Sequence, residues 1–256
     1  LYAVPLDRIG FMDYCEKRDL FAAGGLGGIE NLFDAWTRQG VRFHISDWRR
    51  GDDENLARAL VAVRAGAEKV FVYTAALDAI RHDHAADLDA GAVRARLAGY
   101  AAAIRALHAA LAASGRPFAL TVFSDHGMTP LVKTVDLQAA VAATGLVFGR
   151  DYGACCDATL YRVTYLADRA RRLISAALAP FAADGRWLTE AEERALGIWR
   201  ADRAFGDAIF LVNPGVQIVP SDMGLKPLGG MHGYDPADEH SRAAILSTEP
   251  VPGYVR

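Results

Sequence analysis

The chain has 256 residues, of which 52% are hydrophobic, and a formal net charge of -3 at pH 7. This length and apolar content suffice for one large α/β domain or two small ones. Nucleic acids and anionic membranes attract clustered basic surfaces, so the slightly acidic balance favours neither as a partner. The N-terminus shows no signal-peptide pattern, no stretch has the length of an apolar membrane span, and the three cysteines do not suggest a disulfide framework. We therefore expect a cytoplasmic protein.

The first half of the chain alternates helical and extended patterns. Apolar spacing predicts helices at residues 29–39, 54–64 and 92–113, and strands at 41–45, 69–73 and 118–123. Residues 46–55 are predicted as a polar turn between two of these elements. Such alternation is typical of an α/β fold with a mainly parallel sheet flanked by helices. In these sheets, ligands bind at the carboxyl ends of the strands.

Residues 131–219 follow a different pattern, in which helices and strands do not alternate regularly. Helices are predicted at 137–143 and 167–182, and strands at 160–165, 208–212 and 216–219. We interpret this segment as an inserted α+β subdomain. Residues 1–130 and 220–256 would then form an α/β metal-binding core that is incomplete at its N-terminus.

Acid and imidazole side chains recur just after predicted strands or within a glycine-rich loop. They are Asp78 with His82, Asp125 with His126 in "VFSDHGM", and His232 in "GGMHGYDP". Carboxylate oxygen and imidazole nitrogen suit zinc in catalytic sites, and the same ligands also bind manganese or iron. The pattern therefore predicts a metal site, although a single Asp-His dipeptide is more often a solvated turn.

The spacing within each pair fits this hypothesis. Asp78 and His82 are four residues apart, so on a helical turn both side chains project to the same side. His84 is the competing ligand, although its spacing from Asp78 fits a helical turn less well. Asp125 and His126 are adjacent, and the glycine after them allows the chain to leave the strand so that both side chains turn inward.

Other candidate sites have weaker support. The "GGLGG" run at residues 24–28 lacks the spacing and the lysine of known phosphate-binding loops, which favours a flexible loop. Cys15 has no histidine near it in sequence, and Cys155 and Cys156 lie in the inserted segment, so a thiol nucleophile is not supported. We assign no role to His44, His108 or His240.

The motifs "VFSDHGM", "LDAIRH" and "GGMHGYDP", in this order, resemble the type I phosphodiesterase/nucleotide pyrophosphatase branch of the alkaline phosphatase superfamily. Further matching stretches are "YCEKRDLF", "ISDWR", "DATLYRVTY" and "FGDAIFLVNPGVQIVPS", so the resemblance covers nearly the whole chain. It is closest to bacterial alkaline phosphatase-like hydrolases. The ordered set of motifs is far more specific than any one of them.

The resemblance implies two divalent metal ions, usually zinc, and a Ser or Thr that attacks phosphorus to form a covalent phosphoenzyme. By motif, Asp78, His82 and His232 would hold one ion, and Asp125 with His126 would hold part of the other. The remaining Asp ligand and the nucleophile precede this region in the family, and the chain has no Ser or Thr before Thr37. We therefore expect both to lie upstream of Leu1 and the 256 residues alone to hydrolyse phosphoesters poorly or not at all.

Three functions are compatible with these residues. The leading one is metal-dependent hydrolysis of a phosphodiester, pyrophosphate or phosphomonoester, with a small-molecule substrate. The second is a non-catalytic metal-binding module, and the third is a phosphomutase or phosphonate hydrolase on the same scaffold. The ligand residues cannot separate these chemistries, because the superfamily shares them.

Overall fold

A computed structural model describes residues 6–11, 19–85, 87 and 89–251 of the chain. The α-helices are α1 Leu32–Arg38, α2 Asp52–Arg64, α3 Ala76–Asp83, α4 Gly91–Ala113, α5 Leu137–Ala142, α6 Asp168–Leu178 and α7 Glu190–Ala195. The strands are β1 Phe43–Ile45, β2 Lys69–Phe71, β3 Thr121–Phe123, β4 Thr129–Pro130, β5 Lys133–Val135, β6 Tyr152–Cys156, β7 Leu160–Tyr165, β8 Gly185–Trp187, β9 Ala208–Val212, β10 Val216–Ile218, β11 Gly230–Met231 and β12 Ile245–Ser247. Short 3₁₀ helices occur at Leu6–Phe11, Ala179–Phe181 and Glu239–Ser241.

The described residues form two compact units. One, the helix-rich unit, comprises residues 19–124 and 244–251, and the other, the sheet-rich unit, comprises 6–11 and 125–243. The predicted insertion, 131–219, lies wholly within the sheet-rich unit. Its status as a separate domain stays a prediction. Within the described residues, no helix has both the length and the apolar character needed to cross a membrane.

The helix-rich unit contains α1 to α4 and two small sheets. β1 and β2 pair in parallel, with His44 opposite Val70, while β3 and β12 pair antiparallel. Leu56, Ala59 and Val63 on one face of α2 pack with Leu107 of α4. The buried face agrees with the helical spacing of apolar residues in the sequence. Burial of a leucine or valine side chain stabilises the fold by roughly 1.5–3 kcal/mol.

The sheet-rich unit is built on a four-stranded antiparallel sheet with the order β6-β7-β9-β8. β5 and β10 form a parallel pair, and β4 and β11 an antiparallel pair. Leu137 of α5 and Ile174 and Leu178 of α6 are fully buried in a core that also includes Phe210 of β9. Every residue of β6 is buried, so exposed and buried side chains do not alternate along this strand.

The α/β class expected from the sequence is confirmed. Parallel pairing occurs in β1-β2 and β5-β10, while the other strand pairs of the described residues are antiparallel. The predicted helix at 54–64 begins at Asp52, inside the predicted turn, because an acidic first turn stabilises a helix N-terminus. Cys155 and Cys156 are buried, free thiols, whereas Cys15 lies outside the described residues.

Candidate metal centre

Helix α3 carries the first predicted ligand pair, in the helix-rich unit. The structure confirms a helical turn after β2, and the spacing of four residues places Asp78 and His82 on the same side of it. The Asp78 Oδ2 and His82 Nε2 atoms are 3.5 Å apart. His84 is the C-cap residue of α3 and is exposed, so among the described residues it is His82 that pairs with Asp78.

The second pair lies in the sheet-rich unit, on the segment that precedes β4. Gly127 allows this segment to approach another part of the backbone closely, since a Cβ atom there would lie 2.0 Å from the His240 carbonyl oxygen. The Gly127 N–H donates to the Ser241 carbonyl at 3.2 Å. A glycine is therefore required immediately after the Asp125-His126 dipeptide, for reasons of space.

A hydrogen bond to the backbone fixes the orientation of the His126 ring. Nδ1 lies 2.8 Å from the Gly127 carbonyl oxygen, which can only accept, so Nδ1 carries the proton. In the neutral ring, Nε2 then has a free lone pair, and it lies 3.5 Å from Asp125 Oδ2. In metal-binding histidines, a hydrogen bond from one ring nitrogen to a backbone carbonyl or carboxylate likewise leaves the other nitrogen free to bind the metal.

His232 reaches the Asp125-His126 segment through the pairing of β4 with β11. Met231 is opposite Thr129, so continuing the antiparallel register places His232 diagonally across from His126 on the same face. The two imidazole rings stack, with centroids 3.7 Å apart. The sheet-rich unit thus brings together three of the predicted ligands: Asp125, His126 and His232.

The loop after His232 is held by a buried threonine. Gly233 has a φ of +88°, a conformation that favours glycine, and its carbonyl accepts a hydrogen bond from Thr159 Oγ1 at 2.9 Å. Thr159 is 3% exposed. It belongs to the "DATLYRVTY" stretch, but the spacing of residues gave no signal that it contacts the His232 loop.

The Asp-His pairs fit a divalent cation of the expected type. A tetrahedral ion with ligand bonds of about 2.0–2.1 Å separates neighbouring ligand atoms by about 3.4 Å. Both pairs have an oxygen-to-nitrogen separation of 3.5 Å.

The alternative sites considered from the sequence gain no support. Burial raises the pKa of the Cys155 and Cys156 thiols, which opposes formation of a nucleophilic thiolate. His44 lies in β1, and burial lowers its pKa. The "GGLGG" run forms turns in which Gly24, Gly27 and Gly28 have positive φ, as expected of a loop.

The fold and the donor set define an α/β protein with two Asp-His pairs. The chain belongs to the type I phosphodiesterase/nucleotide pyrophosphatase family, in the alkaline phosphatase superfamily, because the family's sequence profile matches residues 29–235. The expected family membership is thereby confirmed. No curated protein matches the chain in sequence.

Solved structures of related proteins share the fold. Murine ectonucleotide pyrophosphatase/phosphodiesterase 5 superposes with a TM-score of 0.67 at 16% identity, over 86% of this chain and 63% of that one. An inactive variant of the murine protein in complex with AMP gives 0.66 at 16% identity, over 84% and 62%. The human protein gives 0.67 at 14% identity, over 84% and 62%. The chain therefore spans less than two thirds of the length of these proteins.

Proposed function

We propose that this chain is part of a metal-dependent hydrolase that cleaves phosphodiester or pyrophosphate bonds in small nucleotide substrates. The family and the fold support phosphodiester or pyrophosphate hydrolysis. The murine protein of the same fold is seen in complex with AMP. For this reason we propose nucleotides, rather than other phosphoesters, as the substrates. The observation that carries the metal dependence is the recurrence of a carboxylate oxygen 3.5 Å from an imidazole nitrogen in both Asp-His pairs.

The proposed ligand sets follow the family resemblance. Asp78, His82 and His232 bind one ion, and Asp125 and His126 provide part of the coordination of a second. Zinc is the leading ion, with manganese and iron as alternatives that accept the same ligands. When bound, such ions neutralise phosphoryl oxygens and lower the pKa of an attacking hydroxyl or water.

The residues of this chain act by holding ligand atoms in place. The Gly127 carbonyl keeps the proton of His126 on Nδ1, so that Nε2 is available. Thr159 holds the loop that follows His232. The covalent step implied by the family would use a Ser or Thr nucleophile upstream of Leu1, and we expect the 256 residues alone to be a poor hydrolase.

The test compares this chain with a version extended upstream in the natural reading frame. Both are assayed with a bis-nitrophenyl phosphate and with a nitrophenyl ester of a nucleoside monophosphate, before and after chelation and after re-addition of zinc, manganese or iron. We expect turnover by the extended chain, its loss on chelation and its recovery with one of the metals. Turnover that chelation leaves unchanged would contradict the metal dependence, and equal turnover by both chains would contradict an upstream nucleophile.

A matched pair of variants tests whether Asp78 of α3 binds a metal ion. Asp78→Asn removes a proposed ligand, whereas Asp83→Asn changes an exposed acid on the same helix. We expect the first variant of the extended chain to lose most of its metal-stimulated turnover and the second to keep it. Loss in both variants, or in neither, would show that Asp78 is not a ligand. Zinc retained without turnover by the unmutated extended chain would favour the non-catalytic metal-binding module.

A further inference from the structure

Helix α3 begins without a cap of its own. Its N-cap residue is Ala75, which has no side-chain oxygen, and no local side chain caps the helix. The first N–H groups of a helix have no partner within it, and a helix of eight residues has little cooperative stability to offset this. The position of α3 must therefore be fixed by other parts of the helix-rich unit.

A distant carboxylate provides the missing acceptors. Asp52, the first residue of α2, accepts from the Ala75 N–H through Oδ1 at 3.1 Å and from the Ala76 N–H through Oδ2 at 2.9 Å. Its side chain is buried, and it also lies at the positive N-terminal end of α2. One carboxylate thus serves the N-termini of two helices that are separated by β2.

Tyr100 of α4 completes this arrangement. Its hydroxyl donates a short hydrogen bond to Asp52 Oδ2. The Arg96 guanidinium lies over the Tyr100 ring, 4.4 Å from its centroid. Asp52 and Tyr100 therefore link α2, α3 and α4 at one point, and we call this pair the remote cap.

We propose that the remote cap is a positioning device for the metal ligands of α3, an inference that rests on the proposed function. Asp78 is only two residues beyond Ala76, whose N–H the cap holds, and His82 follows one turn later. A shift or rotation of the first turn would move both ligand atoms together. Groups that orient metal ligands in this way affect affinity without touching the ion.

The first experiment measures the cap itself, with zinc absent. Amide hydrogen exchange at Ala75 and Ala76 is compared in the unmutated chain, Asp52→Ala, Tyr100→Phe and Glu54→Gln. Glu54 is the matched control, because it also lies in the first turn of α2 but is exposed and pairs with Arg50 and Arg58. We expect exchange about 10-fold or more faster in Asp52→Ala, a smaller acceleration in Tyr100→Phe and none in Glu54→Gln. Unchanged exchange in Asp52→Ala would overturn the remote cap.

The second experiment separates positioning from general stabilisation. Zinc affinity is measured by competition with a chromophoric chelator, under conditions where circular dichroism shows each variant to be folded. We expect about 10- to 100-fold weaker binding in Asp52→Ala, a smaller loss in Asp52→Asn, which keeps one acceptor oxygen, and unchanged binding in Glu54→Gln. Tyr100→Phe, which retains the ring, tests the same claim if Asp52→Ala does not fold.

The outcomes distinguish this inference from the proposed function. Faster exchange combined with unchanged zinc affinity would make the cap purely structural and overturn positioning. Failure of the unmutated chain to bind zinc would instead refute the metal site, and positioning with it, whatever the exchange rates show.

Discussion

The imidazole rings of His126 and His232 stack face to face, with centroids 3.7 Å apart and an angle of 18° between the ring planes. The two histidines are more than a hundred residues apart in sequence, and the pairing of β4 with β11 brings them into contact. The sheet-rich unit therefore brings its candidate ligands together through the pairing of its strands.

Replacing His232 separates the role of the ring as ligand from its role in packing. His232→Phe keeps an aromatic ring against His126 but removes the ligand nitrogen, and we expect loss of about one metal ion per chain with little change in unfolding midpoint. Elemental analysis after dialysis measures the metal. His240→Ala, at an exposed histidine of the same unit, is the control. Unchanged metal in His232→Phe would show that His232 is not a ligand.

The choice between His82 and His84 can be tested directly. We expect His82→Ala to weaken zinc binding at least 10-fold, because its Nε2 lies 3.5 Å from Asp78 Oδ2. We expect His84→Ala, at the exposed end of α3, to bind zinc as the unmutated chain does. Titration with zinc of both variants gives the affinities. The opposite order would make His84 the ligand and leave the α3 helical spacing without a role.

Gly127 should not tolerate even a methyl group. The added Cβ would meet two carbonyl oxygens, at 2.0 Å for His240 and 2.9 Å for Arg242, and backbone atoms cannot move aside as a flexible side chain can. We expect Gly127→Ala to lower the free energy of unfolding by about 1–3 kcal/mol and to weaken metal binding. The control is Gly91→Ala, where a Cβ meets open space. Equal urea midpoints for the two variants would contradict this account.

The remote cap is expected to make the free energy of unfolding depend on pH in the alkaline range. Burial, followed by the hydrogen bond to Asp52, raises the pKa of Tyr100 from 10.0 to about 12. A pKa raised on folding means that the stabilisation is complete below about pH 10 and is lost as the pH rises through about 12. We expect the difference in unfolding free energy between the unmutated chain and Tyr100→Phe to shrink over this window. A constant difference would show that the hydroxyl proton does not stabilise the fold.

The long elements of the fold could be predicted because their signal is local. The apolar face of α2 and the β-branched residues of β7 and β9 are visible within one short window, and the observed bounds agree closely with the predicted ones. The two-residue strands β4 and β11 are too short for any periodic pattern. They form because each has the other as partner, which is information the local sequence does not contain.

The candidate ligands could be predicted for a similar reason, since Asp125 is adjacent to His126 and Asp78 is one turn from His82. The residues that orient them could not. Asp52 meets Tyr100 across 48 residues, and Thr159 meets Gly233 across 74. The sequence pattern predicts a turn at Asp52, whereas this residue begins α2. Only the tertiary packing of helices and strands brings such residues next to the candidate ligands.

The most direct test of the central claim is the metal content of the chain. The unmutated chain is stripped with a chelator, equilibrated with a slight excess of zinc, passed through a desalting column and measured by elemental analysis, in parallel with a variant that carries Asp78→Asn, His82→Ala and His232→Phe. We predict at least one tightly held zinc ion in the unmutated chain and its loss in the variant. Equal zinc in both, or none in the unmutated chain, would contradict the account.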